Sequence, residues 1–209
     1  MMRRAAFAVL APVAVALLSA APANARELDA YALTEAAAEL APGRFLWTET
    51  SDTGPVSVLI SLPDQRAYVF RGQTLFAAST ISTGKDGKET PTGSYPILQK
   101  KAVHHSNLYD DAPMPFMQRL TWDGVALHAG RNPGFPASHG CVRLPAAFAK
   151  KLFSITEVGT TVEVTDEAYI GPPVPLMRVD DLASVATERE TASANKRSAR
   201  RLDRSTATR

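Results

Sequence analysis

Cysteine occurs once in the 209 residues, at Cys141, and histidine only four times. A lone thiol closes no intramolecular disulfide, so the fold has to be held by its core rather than by staples. No second cysteine and no clustered His/Glu pattern accompanies it, and the adjacent His104 and His105 would point to opposite faces of a strand. No metal site and no cofactor is therefore indicated. The glycine-bearing loop Ser82 to Glu89 leads into no helix start, and its spacing is wrong for a phosphate loop. Excess charge is also scarce. The net +2 resolves into +2 on residues 1–25, +3 on residues 176–209 and −3 on the body between them. A mildly acidic body has no electrostatic footprint for nucleic acid. The only long apolar run, Ala5 to Leu18, is short and alanine-rich for a membrane span.

That run follows Arg3 and Arg4 and precedes Ala23-Asn24-Ala25, the form of a secretory signal peptide with its cleavage site. The expectation is a leader over 1–25, a mature chain from about Arg26, and a place outside the cytoplasm in the periplasm or envelope. An uncleaved anchor is the alternative. Residues 26–43, rich in Ala, Leu and Glu and closed by Pro42-Gly43, predict a short helix or mobile lead-in. From Gly171 the composition turns to Gly, Pro, Ser, Thr and Arg with no aromatic after Tyr169, which predicts a disordered basic tail over 171–209. Residues 44–170 are left as one domain, of ordinary size for a single core.

Within that domain the period is two. Val56 to Leu62, Ala67 to Arg71 and Thr74 to Ile81 predict three short strands, joined by Pro63-Asp64-Gln65-Arg66 and Gly72-Gln73 as an antiparallel meander. Thr90-Pro91-Thr92-Gly93 shapes the entry to a strand over Tyr95 to Leu98. Lys100 to Met117 lacks periodicity, and irregular stretches of that length in a compact domain are usually binding loops or lids. Phe116 to Trp122 predicts a strand, Asp123-Gly124 a hairpin turn, and Val125-Ala126-Leu127 the returning strand that delivers His128. Pro145 suits the first turn of a helix whose buried face is Phe148 and Leu152. Thr160 to Val164 reads as a last strand.

The chemistry gathers between Leu127 and Leu144. A thiol is a strong nucleophile only when a neighbour takes its proton or lowers its pKa, and histidine is the usual neighbour. Two lie close: His139, two residues before Cys141, and His128, at the end of its strand. Gly140 permits the sharp turn that lets successive N–H groups converge on an oxyanion. A helix following Cys141 would bias the thiol toward thiolate. Each residue alone is more often structural than catalytic; together with Ser138, in this order, they favour a thiol enzyme.

The segment Ser138-His139-Gly140-Cys141-Val142-Arg143, with His128 upstream, resembles the catalytic motif of the L,D-transpeptidases, the YkuD-like domain. Thr90-Pro91-Thr92-Gly93 resembles a second stretch of that family, Thr-Pro-x-Gly. The spacer Ala129 to Ala137, nine residues, is shorter than in many members. The resemblance implies a mostly β fold, a single YkuD-like sandwich or mixed sheet with a short helix after the cysteine. It implies Cys141 as nucleophile, His128 as general acid/base, amides around Gly140 and Cys141 as oxyanion hole, and His139 and Ser138 as supporting groups. A lid would cover the site, with Tyr109, Met114, Phe116 and Met117 as its apolar inner face; Phe116 and Met117 serve equally well as core. Arg143 would contact a substrate carboxylate or form a structural ion pair. The implied substrate is a peptidoglycan tetrapeptide stem cut between diaminopimelate and D-alanine, with carbapenems as inhibitors. The acceptor stays open: a second stem, an envelope protein, or water. So does the choice between His128 and His139 as the thiol's partner. From another class, the sequence also suits a non-catalytic wall-binding module.

Overall fold

The computed structural model describes residues 23–106 and 111–170. The expected tail over 171–209, most of the expected leader and Tyr109 lie outside them. Helix α1 (Ala23–Ala38) precedes strands β1 (Phe45–Trp47), β2 (Val56–Ser61), β3 (Arg66–Arg71) and β4 (Thr74–Thr80). Next come β5 (Gly93–Pro96), β6 (Gln99–Lys101), β7 (Met117–Arg119) and β8 (Ala126–Ala129), then β9 (Val142–Leu144), α2 (Ala146–Ile155) and β10 (Thr161–Thr165). Six strands form one sheet in the order β1-β4-β3-β2-β10-β5, and four form another, β6-β7-β8-β9. No helix among the described residues is long and apolar enough to cross a membrane.

The meander forms because its alternation is satisfied on both faces. In β3, Ala67 and Val69 enter the main core, while Tyr68 and Phe70 turn outward under α1. That is why the strand reads as continuously apolar: the sheet is covered twice. The lead-in is thus a docked helix. Ala30 and Ala37 of α1 pack on Tyr68, Phe70 and Leu75. Arg66 of β3 closes its C-terminal end, its Nε donating to the Ala37 carbonyl at 2.7 Å and its Nη2 to Ala38 and Leu40, each at 3.0 Å. A cation on the unpaired carbonyls of a helix C-terminus is doubly favourable.

The expected strand over Tyr95 to Leu98 is split. Tyr95 pairs with Val162 of β10, and five residues on Lys100 pairs with Gln118 in the other sheet. Ile97, fully buried, is the crossing point and drives into the core between them. Helix α2 sends Phe148, Ala149 and Leu152 into the same core. Phe148 meets the rings of Phe45 and Trp47 of β1, at 5.6 and 5.7 Å between centroids.

Strands β8 and β9 run parallel, with Leu127 opposite Val142 and His128 opposite Arg143. Parallel neighbours cannot be joined by a tight turn and require a crossover of about a dozen residues. Residues 130–141 supply it as irregular backbone, returning the chain beside the strand it has just left. The topology therefore lays the segment ending in Cys141 alongside the strand that carries His128.

Candidate active site

Cys141 lies one residue before β9, packed against a small apolar cluster of Met114, Met117 and Ala126. Its Sγ donates to the Gly124 carbonyl at 3.4 Å. Burial pushes the thiol's pKa up; the Ala126 backbone and the charges of Arg143 and Arg119 pull the other way without reversing the shift. This corrects the expectation of a dipole-favoured thiolate. Strand β9 and Pro145 stand between Cys141 and α2, and the resting group is a protonated thiol.

His128, in β8, is buried, with Nδ1 2.8 Å from the Ala129 carbonyl oxygen. A carbonyl only accepts, so Nδ1 carries the proton and Nε2 is the basic nitrogen. Burial first, then the Arg143 and His104 charges, hold the imidazole below its usual pKa against the opposing effect of the Ala129 bond. It is neutral at neutral pH, as a base must be. His139 is exposed, between the buried Ser138 and Gly140.

The nucleophile loop is braced by groups distant in sequence. Ser138 is buried, its hydroxyl donating to the Cys141 carbonyl at 2.5 Å and accepting from the Gly140 N–H at 3.1 Å. The Gly140 amide is thus committed to Ser138, which corrects its expected part in an oxyanion hole. The glycine contributes its backbone instead, at φ +116°, a conformation open to few other residues. Its carbonyl accepts from Thr90 Oγ1 at 2.9 Å, and Thr90 Oγ1 accepts in turn from the Gly84 N–H at 2.9 Å. The second motif therefore ties down the first. The loop after β4 completes the clasp. Thr83 O accepts from the Ala137 and Ser138 amides, Lys85 N–H donates to Ser138 O, and Ser82 pairs with Arg143. Thr83 is itself held by Gln65 from the β2–β3 turn, whose Nε2 lies 2.7 Å from Thr83 Oγ1 and whose Oε1 accepts the Thr83 N–H at 3.1 Å. The loop over Ser82 to Glu89, whose sequence excluded a phosphate loop, is the cradle of the Cys141 segment. Thr90 carries a sequence signal, the motif; Gln65 carries none.

His128, Ser138, His139, Cys141 and Arg143 line one cavity of about 590 Å³. A second, of about 260 Å³, includes His104, Arg119 and Trp122. Both are bounded by Met114, Asp123 and Gly124, so the thiol touches the carbonyl at their boundary. The expected lid is a strap in which Met114 N–H donates to His104 O and Phe116 N–H to Ala102 O. Its expected inner face divides. Met114 and Met117 pack at Cys141, whereas Phe116 turns into the main core against Phe153.

Residues 55–164 match the model of the L,D-transpeptidase catalytic domain, YkuD. The chain belongs to this family. Solved L,D-transpeptidases share the fold. One from Stackebrandtia nassauensis is 25% identical with a TM-score of 0.51, over 64% of this chain and 64% of that one. One from Mycobacterium smegmatis is 22% identical with a TM-score of 0.50, over 53% and 58%. One from Mycobacterium tuberculosis H37Rv is 21% identical with a TM-score of 0.50, over 53% and 57%. The match thus spans less than two thirds of each of these structures. Among curated proteins no significant match is found. Within the L,D-transpeptidase domain, every residue expected at the site except Gly140 borders the larger cavity, and Gly140 lies in the backbone turn beneath it.

Proposed function

We propose that the protein is an exported cysteine acyltransferase that acts on peptidoglycan stem peptides. The observation that carries this reading is the bond from His128 Nδ1 to the Ala129 carbonyl, which leaves Nε2 basic in the cavity that also receives Cys141. Nε2 takes the thiol proton as sulfur attacks the carbonyl joining diaminopimelate to D-alanine. The Cys141 N–H, unlike that of Gly140, is available to the oxyanion. Collapse breaks the C–N bond, the imidazolium returns its proton to the departing D-alanine amine, and a thioester remains on Cys141. An acceptor amine then attacks the thioester, loses its proton to His128, and restores the thiol. Because thiol and imidazole both rest neutral, the ion pair forms only as the reaction proceeds.

Two cavities meeting beside the thiol support two substrates, and hence an amine acceptor, over hydrolysis by water. The acceptor is a second stem, giving a 3–3 crosslink, or an envelope protein. Carbapenems are expected to acylate the same sulfur. Mass spectrometry of muropeptides incubated with the protein, beside Cys141→Ala, tests this. Cysteine-dependent dimers that have lost D-alanine are expected. Trimmed monomers alone would identify a carboxypeptidase, and stems left intact but still bound would identify a binding module.

A further inference from the structure

Among the described residues, two guanidinium groups reach the larger cavity, and they are held differently. Arg143 is half-buried, its stem laid against Gly130, where a Cβ would stand 3.2 Å from Arg143 Cγ. Its Nη1 donates to the Ala137 carbonyl at 3.3 Å. Its charge acts on both Cys141 and His128. Arg131 directly follows Gly130, where the chain leaves β8, and it borders the same cavity. It is exposed, and among the described residues it makes no hydrogen bond or ion pair. It does not figure among the charges that act on the thiol or the imidazole. The cavity thus has an inner cation, already bonded and facing the reacting groups, and an outer cation with its donors uncommitted. Among the described residues on the lining, Asp123 is the only acidic side chain. A guanidinium presents a planar fork suited to a carboxylate, and a stem peptide carries carboxylates beyond its scissile carbonyl.

We propose that Arg131 is a specificity residue that binds a carboxylate of the acyl donor set back from the scissile carbonyl. The inference rests on the acyl-donor reading above. It assigns the outer wall of the cavity to the donor's charge, leaving Arg143 to the reacting centre. Two carboxylates meet the description: that of the leaving D-alanine and that of the diaminopimelate side chain.

Steady-state kinetics of the wild type, Arg131→Gln and Arg131→Lys separate them, on the free stem and on stems amidated at one carboxylate or the other. Loss of a charge-assisted bond made equally in ground and transition states should raise KM about tenfold or more in Arg131→Gln, with kcat nearly unchanged. Arg131→Lys should recover part of that loss. Amidating the carboxylate that Arg131 reads should cost the wild type the same factor and cost Arg131→Gln nothing further, while amidating the other should cost both alike. A kcat/KM for Arg131→Gln within about twofold of the wild type, or a loss undiminished on both amidated stems, overturns the proposal. A second measurement needs no stem peptide. Labelling of Cys141 by a maleimide bearing a carboxylated side chain, relative to its amide, should favour the carboxylate severalfold in the wild type and lose that preference in Arg131→Gln. A preference untouched by the substitution also overturns it. If the wild type turns over no stem, the acyltransferase reading falls, and the maleimide ratio still decides whether Arg131 receives a carboxylate.

Discussion

The two sheets of this domain are built on opposite terms. In the six-stranded sheet, β2, β3 and β4 are six or seven residues long, and β3 is buried on both faces, under the core and under α1. In the four-stranded sheet no strand exceeds four residues, and the segments between them are irregular. The first region is held by apolar area. The second shares that core through Leu127, Ala129, Val142 and Leu144, and its loops are held by hydrogen bonds from the Ser138 and Thr90 hydroxyls to loop carbonyls and from the Thr83 N–H to Gln65 Oε1. Long paired strands stabilise but leave little freedom to aim a side chain. Short strands and braced loops bring a thiol and an imidazole to one cavity, and they lean on the other sheet for stability. Activity and stability should therefore separate by region.

The largest effect expected is chemical. His128→Ala should lower kcat by roughly 10²–10⁴, the usual worth of a positioned general base, with the melting temperature close to that of the wild type. Turnover within about tenfold of the wild type would remove His128 from the chemistry. Next comes the shared core. Phe148→Ala should destabilise the fold by about 3–5 kcal/mol, read by denaturant unfolding, because it empties the space between β1 and α2. Thr90→Val tests whether loop bracing serves the chemistry. It should lower kcat by about tenfold to a hundredfold through a misplaced Gly140 carbonyl, with KM little changed and Thr90→Ser restoring most of the loss. The smallest effect belongs to the back of the larger sheet. Arg66→Ala frees the end of α1 and should cost about 1–3 kcal/mol without altering kcat. A drop in kcat there would mean that the regions are coupled.

The same contrast explains what could be read from the sequence. The meander was legible because β2, β3 and β4 are long enough to show their period and end in recognisable turns. The helix after Pro145 was legible from the spacing of Phe148 and Leu152. Strands β1 and β9 were not, since three residues carry no period. Missing β9 placed the helix dipole at the thiol and gave a thiolate where burial gives a thiol. Gln65 and Thr83 are 18 residues apart, and only folding makes them partners. Cys141, His128 and Ser138 were visible because the motif that holds them fixes residue types in order. The engagement of Gly140's amide by Ser138 was not, since a glycine in a sequence does not reveal where its N–H points.

The neutral pair also makes a pH prediction. Because folding raises the thiol's pKa, thiolate accumulates only above the ordinary thiol range. Alkylation of Cys141 by iodoacetamide should stay slow at neutral pH and keep rising past the pH at which a free cysteine levels off. A plateau near neutrality would reveal a resting ion pair.

The most direct test of a thiol activated by His128 is the intact mass of the protein after mixing with a carbapenem, for the wild type, Cys141→Ala and His128→Ala. One covalent adduct on Cys141 is expected in the wild type, none in Cys141→Ala, and formation slowed by roughly 10²–10⁴ in His128→Ala. An unmodified wild-type mass, or acylation at an unchanged rate without His128, would contradict that activation.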